Sequence, residues 1–167
     1  IERLPASFER QTASVGFNPG QFLAREKLVT ESRPSVELFI YALTRLARTD
    51  SARAARFLSA LQSRMPENDA AYAWAQIGLY GAMQHEPEAR QWFAQGGNTP
   101  LTDVQAAWRV RANLRAGDWS GVKSTIEAMP AAERREPAWR YWLSRAEAAA
   151  GNAEPARKLR ESLLREN

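Results

Sequence analysis

Two arginines, Arg111 and Arg145, carry the clearest chemical signal in this 167-residue chain. They lie 34 residues apart, and each follows a tryptophan by three residues, Arg111 after Trp108 and Arg145 after Trp142. Residues three apart are neighbours on one face of a helix. If helical repeats stack, the two arginines align as a small cationic ladder able to contact acidic groups of a ligand. The simpler interpretation is that each guanidinium stacks on an indole or pairs with a nearby acidic side chain.

The tryptophans indicate which elements position these arginines. Trp74, Trp108 and Trp142 form a series with a constant spacing of 34 residues, which is the length of a common helix-turn-helix repeat. An indole face can stack on a sugar ring. A large residue at a fixed repeat position, however, more often fills the groove between helices. We therefore interpret these three tryptophans as the structural core of successive repeats.

Apolar periodicity predicts an all-α fold, a superhelix of stacked helix-turn-helix repeats that resembles a degenerate tetratricopeptide array. The first clear helix carries apolar residues at helical spacing, namely Val36, Phe39, Ile40, Leu43, Leu46 and Ala47. Ala82, Ala116 and Ala150 form a small-residue series that we expect to allow close helix approach, and Gly117 and Gly151 are expected to end helices. No segment alternates in the manner of a strand.

Caps and turn residues divide the chain into five parts of one superhelical segment, 1–167. We predict an irregular helical lead-in at 1–33 and helix pairs at 34–66, 69–97, 102–130 and 136–166. No stretch approaches the roughly 20 apolar residues of a membrane span, so no transmembrane segment is expected. The first residues lack both Met and a signal-peptide pattern, which favours a processed chain or a piece of a longer one.

Several kinds of chemistry are disfavoured by composition. The chain has no cysteine and one histidine, His85, so we predict no metal site and no cofactor, and we expect His85 to be a solvated or capping residue at a helix end. The net charge of +4 is spread evenly, with ten basic and eight acidic residues in 1–83 and thirteen and eleven in the remainder. Without a basic block, nucleic acid is not an expected partner.

Three runs together resemble the soluble lytic murein transglycosylases, specifically the long α-superhelical domain that precedes their catalytic domain. The resemblance covers the whole chain and is most specific from about 70 to 150. The runs are Ala71-Tyr72-Ala73-Trp74-Ala75-Gln76-Ile77, Ala107-Trp108-Arg109-Val110-Arg111-Ala112 with Ala116-Gly117-Asp118-Trp119, and Pro137-Ala138-Trp139-Arg140-Tyr141-Trp142. The resemblance implies a periplasmic location and, as partners, peptidoglycan glycan strands and the C-terminal catalytic domain of a parent chain.

The same resemblance implies what the parent enzyme does. The family cleaves the bond between N-acetylmuramic acid and N-acetylglucosamine and leaves a 1,6-anhydromuramyl end, using a glutamate in an Arg-Gln-Glu-Ser-like context followed by a Gly-Leu-Met-Gln-like motif. Here Arg160-Glu161-Ser162 lacks the glutamine, and Gly81-Ala82-Met83-Gln84 precedes it, which is the wrong order. We expect no catalytic residue in this chain and a scaffold or peptidoglycan-guiding role, with Arg111 and Arg145 as candidate contacts to acidic stem peptides.

Two other functions remain open. A tetratricopeptide-like adaptor would bind a protein segment in a groove lined with Asn, Arg and Tyr. An autonomous hydrolase would need two carboxylates facing each other across a cleft, and spacing alone identifies no such pair. Self-association is also expected, because the last helix carries Leu159, Leu163 and Leu164 without a capping repeat.

Overall fold

The computed structural model describes residues 6–165, with side chains from residue 12 onward, so the first five residues of the predicted lead-in and the last residue of the predicted fourth pair lie outside it. Within the described range the chain contains helices, one 3-10 turn and no strand. The all-α fold class is confirmed. The helices form two compact units, one ending at Thr99 and one beginning at Pro100.

From residue 6 onward, unit 1 contains six helices. Their order is α1 (Ala6–Phe17), α2 (Pro19–Arg25), α3 (Arg33–Ala47), α4 (Ser51–Leu61), α5 (Glu67–Met83) and α6 (Ala89–Gln95), with a 3-10 turn at Gln62–Arg64. The long helix α3 packs on α1, α2, α4 and α5, and α5 also packs on α4 and α6. The predicted apolar stripe of α3 is buried along its whole length, with Phe39 and Leu43 almost inaccessible to solvent.

Polar side chains fix the junctions of unit 1. Asn18, Ser32 and Asp50 accept hydrogen bonds from backbone N–H groups in the first turns of α2, α3 and α4, which satisfies donors that a helix start leaves unpaired. Gln84, just after α5, accepts from the Ser51 hydroxyl over 2.7 Å and donates to the Ala47 carbonyl over 2.7 Å. These bonds tie the end of α5 to the α3–α4 turn.

Glycines bring α5 and α6 close together. A Cβ atom built on Gly78 would stand 2.7 Å from the Phe93 ring, and one built on Gly81 would stand 2.4 Å from the Trp92 ring. Both rings are buried against α5. Only a residue without a side chain leaves room for them, so the two glycines set the α5–α6 separation.

Unit 2 contains the remaining helices, α7 (Asp103–Arg115), α8 (Trp119–Glu127), α9 (Ala131–Arg134), α10 (Pro137–Ala149) and α11 (Ala153–Arg165). Helix α8 packs between α7 and α10, and α11 packs on α10. Thr102 and Gln105 form a reciprocal capping box at the start of α7, and Asp118 caps α8. The core of this unit consists of Ala106, Val110, Val122, Ile126, Met129 and Ala146.

Buried polar groups in unit 2 are hydrogen-bonded at equivalent places in α7 and α10. Asn113 donates to the Thr125 hydroxyl over 3.3 Å. Glu147, 34 residues later, accepts from Asn152 over 2.6 Å and from the Lys123 ammonium over 2.9 Å. Satisfied buried polar groups of this kind fix which helix faces meet, because a shifted packing would leave them unpaired.

Besides α6, which is followed by left-handed Gly97 with φ of 55°, three helices of the described range end in a left-handed residue. Gly117 and Gly151, as predicted, have φ of 68° and 80°, and His85 has φ of 66° at the end of α5. After each of them the next backbone N–H bonds back to a carbonyl five residues earlier, as in a Schellman motif. His85 is exposed and acts as a helix-end residue, as the sequence predicted.

The prediction about the alanine series was correct only in part. Ala82 is fully buried in α5, but Ala116 and Ala150 are exposed C-cap residues of α7 and α10. They lie beyond the packed faces and bring no helices together. The short α9 lies between the predicted third and fourth pairs. None of the helices within residues 6–165 combines the length and apolar character needed to cross a membrane.

Candidate functional site

Arg111 lies on α7 against the faces of two indoles. Its guanidinium carbon is 5.0 Å from the centroid of the Trp108 ring and 5.9 Å from that of the Trp139 ring on α10. The sequence predicted the contact with Trp108, one turn earlier on the same helix, but not the contact with Trp139. Both distances fall in the range of a cation–π interaction.

Arg145 lies on α10 against a different tryptophan. Its guanidinium carbon is 5.9 Å from the centroid of the Trp119 ring at the start of α8, and its Nη1 donates to the Tyr141 hydroxyl over 3.2 Å. Tyr141 packs edge-on against Trp142 with ring centroids 5.0 Å apart. Each arginine therefore has its own aromatic support, and no contact in the described structure joins the two guanidinium groups.

The two guanidinium groups remain available to a ligand. Both residues are exposed, and neither forms an ion pair with an acidic side chain within the described residues. A guanidinium in a cation–π contact retains N–H donors for a further partner, and two of these donors match the two oxygens of a carboxylate. We call Arg111, Arg145 and their supporting rings Trp108, Trp119 and Trp139 the arginine surface of unit 2.

The three tryptophans of the 34-residue series differ in their surroundings. Trp74 is 3% exposed, and its indole N–H donates to Gln62 over 2.9 Å. Trp142 is half-buried and packs on the core of unit 2. Trp108 is also half-buried and supports Arg111. Trp108 thus belongs to the arginine surface, and the half-buried ring of Trp142 lies in the same unit.

Sequence reasoning missed a groove in unit 1 that is lined by both aromatic and charged side chains. A cavity of about 510 Å³ opens between α3 and α5, lined by Tyr41, Tyr72, Arg33, Glu37 and Asp69. The available signal was that both tyrosines lie off the apolar stripes of their helices, 31 residues apart, which is also the spacing of the two Ala-Trp-Arg tripeptides.

The structure places the two sequences that superficially resemble catalytic motifs in structural roles. Glu161 pairs with Arg157 over 3.0 Å on the surface of α11, and Gln84 ties α5 to the α3–α4 turn. Within the described residues no group of three His, Asp or Glu side chains is arranged to hold a metal ion.

One pair of carboxyl groups does meet, at the start of α7. Glu133 lies beside Asp103, and burial, followed by the hydrogen bond and charge of Asp103, raises the pKa of Glu133 above its ordinary value of 4.5. A glycosidase needs about 5 to 9.5 Å between its two carboxyl groups to admit the sugar. Because these two groups share a hydrogen bond, no glycosidic oxygen fits between them.

Comparisons with known proteins identify a similar solved structure but no similar family model or curated sequence. No protein-family model and no curated protein sequence matches the chain. Among solved structures, an inactive mutant of the lytic transglycosylase Slt from Pseudomonas aeruginosa superposes with a TM-score of 0.78 and 26% sequence identity. The chain is similar to a lytic transglycosylase. The match to Slt covers 96% of this chain and 27% of the Slt chain.

The similarity to Slt extends over 96% of this chain. It supports the family relationship that the tryptophan-containing runs suggest. Because the chain spans about 27% of the length of Slt, the match concerns one part of that protein.

Proposed function

We propose that this chain is a non-catalytic, superhelical scaffold segment of a lytic murein transglycosylase and that it guides peptidoglycan toward the catalytic part of the parent protein. The observation that carries the proposal is the match of 96% of the chain to 27% of Slt. Cleavage to 1,6-anhydromuropeptides would take place in a part of the parent that this segment does not match. The parent would then be an extracytoplasmic, periplasmic enzyme.

The arginine surface gives the guiding role a physical basis. Stem peptides of peptidoglycan carry carboxylates, and Arg111 and Arg145 are exposed and form no ion pair with an acidic side chain of the described structure. Their aromatic supports restrict the guanidinium orientations, which reduces the conformational entropy lost when a carboxylate binds. Contacts of this kind are individually weak and suit a polymer that must move along the surface.

Co-sedimentation with purified peptidoglycan sacculi across a salt series tests the proposal. We expect saturable pelleting that weakens as salt rises. The double variant Arg111→Ala/Arg145→Ala should weaken binding roughly 5- to 30-fold, because each exposed charge contact contributes about 0.5–1 kcal/mol. The chain alone should release no anhydromuropeptides.

A matched control removes the same charge elsewhere. Arg157 and Lys158 lie on α11, and both pair with Glu154. The variant Arg157→Ala/Lys158→Ala should therefore pellet like the unaltered chain. Absence of pelleting at low salt, or equal losses in both double variants, would contradict a guiding role for the arginine surface.

A protein-interaction adaptor is the second candidate, and the unit 1 groove is the observation that favours it. Tyr41, Tyr72 and Arg33 line that groove, as a peptide-binding helical repeat would require. Arg33 is nevertheless engaged by two carboxylates of its own unit. It is therefore a poorer anchor for an acidic peptide than the arginines of unit 2.

A further inference from the structure

The unit 1 groove combines aromatic faces with fixed polar groups. Tyr41 on α3 and Tyr72 on α5 are 42% and 46% exposed, and both line the cavity of about 510 Å³. The hydroxyl of Tyr72 accepts from Gln76 over 2.8 Å, which orients the ring. Tyrosine rings provide apolar area with little conformational freedom to lose on binding.

The polar side of the groove is held together by Arg33. Its Nε donates to Glu37 over 2.9 Å and its Nη1 donates to Asp69 over 2.7 Å, so the guanidinium links α3 to α5. Glu37 remains well exposed, whereas the Asp69 side chain is 14% exposed. The remaining guanidinium donors and carboxylate oxygens are thereby fixed next to each other.

This arrangement matches a neutral sugar ring. A pyranose has an apolar face of C–H groups for an aromatic side chain and hydroxyl groups that both donate and accept, which a carboxylate and a guanidinium satisfy together. A cavity of this size also lies in the range of small-ligand sites.

Charge argues against an acidic ligand in the same groove. Arg33 contributes one positive charge, and Glu37 and Asp69 contribute two negative charges. A ligand carboxylate would meet this net negative charge, whereas a hydroxyl or acetamido group would not. The groove of unit 1 thus suits the neutral sugars of a peptidoglycan-like polymer, whereas the arginine surface of unit 2 suits its carboxylates.

We infer that Tyr41, Tyr72 and the Arg33–Glu37–Asp69 cluster form a binding site for a neutral saccharide unit of a glycan strand. The inference rests on the proposed function in taking a glycan as the natural source of the sugar. The saccharide packs on the tyrosine rings and hydrogen-bonds to the charged cluster. Arg33 serves to hold Glu37 and Asp69 in place, and disrupting the Arg33–Asp69 contact disorders the polar side of the groove.

Titration of the full chain with triacetylchitotriose, a neutral oligosaccharide, tests the site. Backbone amide NMR signals of α3 and α5 should shift saturably. Tyr41→Ala and Tyr72→Ala should each raise the dissociation constant about 5-fold, the ratio that corresponds to about 1 kcal/mol of lost ring contact. Tyr41→Phe should bind as well as the unaltered chain, because the ring face is retained.

Two further variants distinguish binding in the groove from nonspecific contact with exposed aromatic rings and from loss of folding. Phe17→Ala removes an aromatic side chain that is 93% exposed on α1, outside the groove, and should leave the titration unchanged. Asp69→Asn removes one charge of the cluster and should weaken binding while far-ultraviolet circular dichroism and the melting curve confirm that the protein is folded.

The outcomes distinguish this inference from the proposed function. The inference is overturned if neither tyrosine variant changes the dissociation constant of the saccharide, or if no binding is detected at about 10 mM ligand. Either result counts even if the chain pellets with sacculi. Saccharide binding without pelleting keeps the groove site and overturns the guiding role. If an unstructured peptide shifts the amide NMR signals of α3 and α5 and the saccharide does not, the inference is overturned in favour of an adaptor.

Discussion

At the scale of single residues, two glutamates of unit 2 have opposite electrostatic surroundings. The hydrogen bonds from Asn152 and then Lys123 lower the pKa of Glu147 below its ordinary value of 4.5. Burial and the neighbouring Asp103 raise the pKa of Glu133. Ionised Glu147 therefore stabilises the folded state, whereas ionisation of Glu133 destabilises it.

The two glutamates should give opposite pH dependences of stability. Glu147 contributes stability that is fully present above about pH 4.5 and is lost as the pH falls through its lowered pKa. Glu133 contributes stability that is present below about 4.5 and is lost as pH rises through its raised pKa. We expect Glu147→Gln to lower the free energy of unfolding by about 1 kcal/mol at pH 7, and Glu133→Gln to raise it by about 0.5 kcal/mol.

Urea unfolding of the three proteins between pH 3 and pH 7 measures both effects. Each variant should approach the unaltered chain as the solution becomes acidic, since both glutamates are then protonated in every state. A difference that stays constant with pH would mean that packing, not ionisation, determines the change.

At the scale of the elements, the α5–α6 hairpin depends on two residues without side chains. We expect Gly81→Ala to lower the free energy of unfolding by about 1–3 kcal/mol, because its Cβ would stand 2.4 Å from the buried ring of Trp92. Gly16→Ala is the matched control, since nothing lies within 4 Å of its Cβ position in α1. That change should stabilise the protein by up to about 1 kcal/mol.

Urea unfolding midpoints and near-ultraviolet circular dichroism report the two glycine variants. Reduced tryptophan dichroism in Gly81→Ala would show that the Trp92 ring has moved. If the two variants unfold at the same urea concentration, the close approach of α5 and α6 does not limit stability.

The elements were predictable from sequence because helix caps and apolar stripes are local signals. Asp50, Thr102 and Asp118 are of the residue types that favour helix starts, and each caps a helix; the predicted stripe of α3 is buried. The pairing of elements is not local. That Arg111 reaches Trp139 on α10, and that Tyr41 lies near Tyr72 across α3 and α5, depends on how helices pack, which periodicity within one helix does not specify.

Local signals also gave one wrong result and left one feature unseen. Ala116 and Ala150 share the period of Ala82, yet they are helix caps, because a repeat spacing fixes sequence position and not burial. The Arg33–Asp69 bond joins residues 36 apart in sequence. Neither residue type stands out in a chain with 25% charged residues, so the sequence does not indicate the charged side of the groove.

At the scale of the whole molecule, α11 presents apolar surface. It packs on α10 with Ala156 as its one buried residue among those described, while Leu159 and Leu163 are half-buried and Leu164 is 78% exposed. One exposed leucine beside half-buried leucines favours contact with another apolar surface, and in a solution of this chain a second copy can supply it.

We therefore predict concentration-dependent self-association through α11. Leu164→Glu should weaken it by about 10-fold or more, because burying one leucine contributes about 1.5–3 kcal/mol. Val104→Glu places the same charge at a position of α7 that is 56% exposed, and should leave association unchanged. Sedimentation equilibrium over a range of concentrations measures all three proteins. A monomer at every concentration, or equal dissociation in both variants, would mean that α11 is not an association surface.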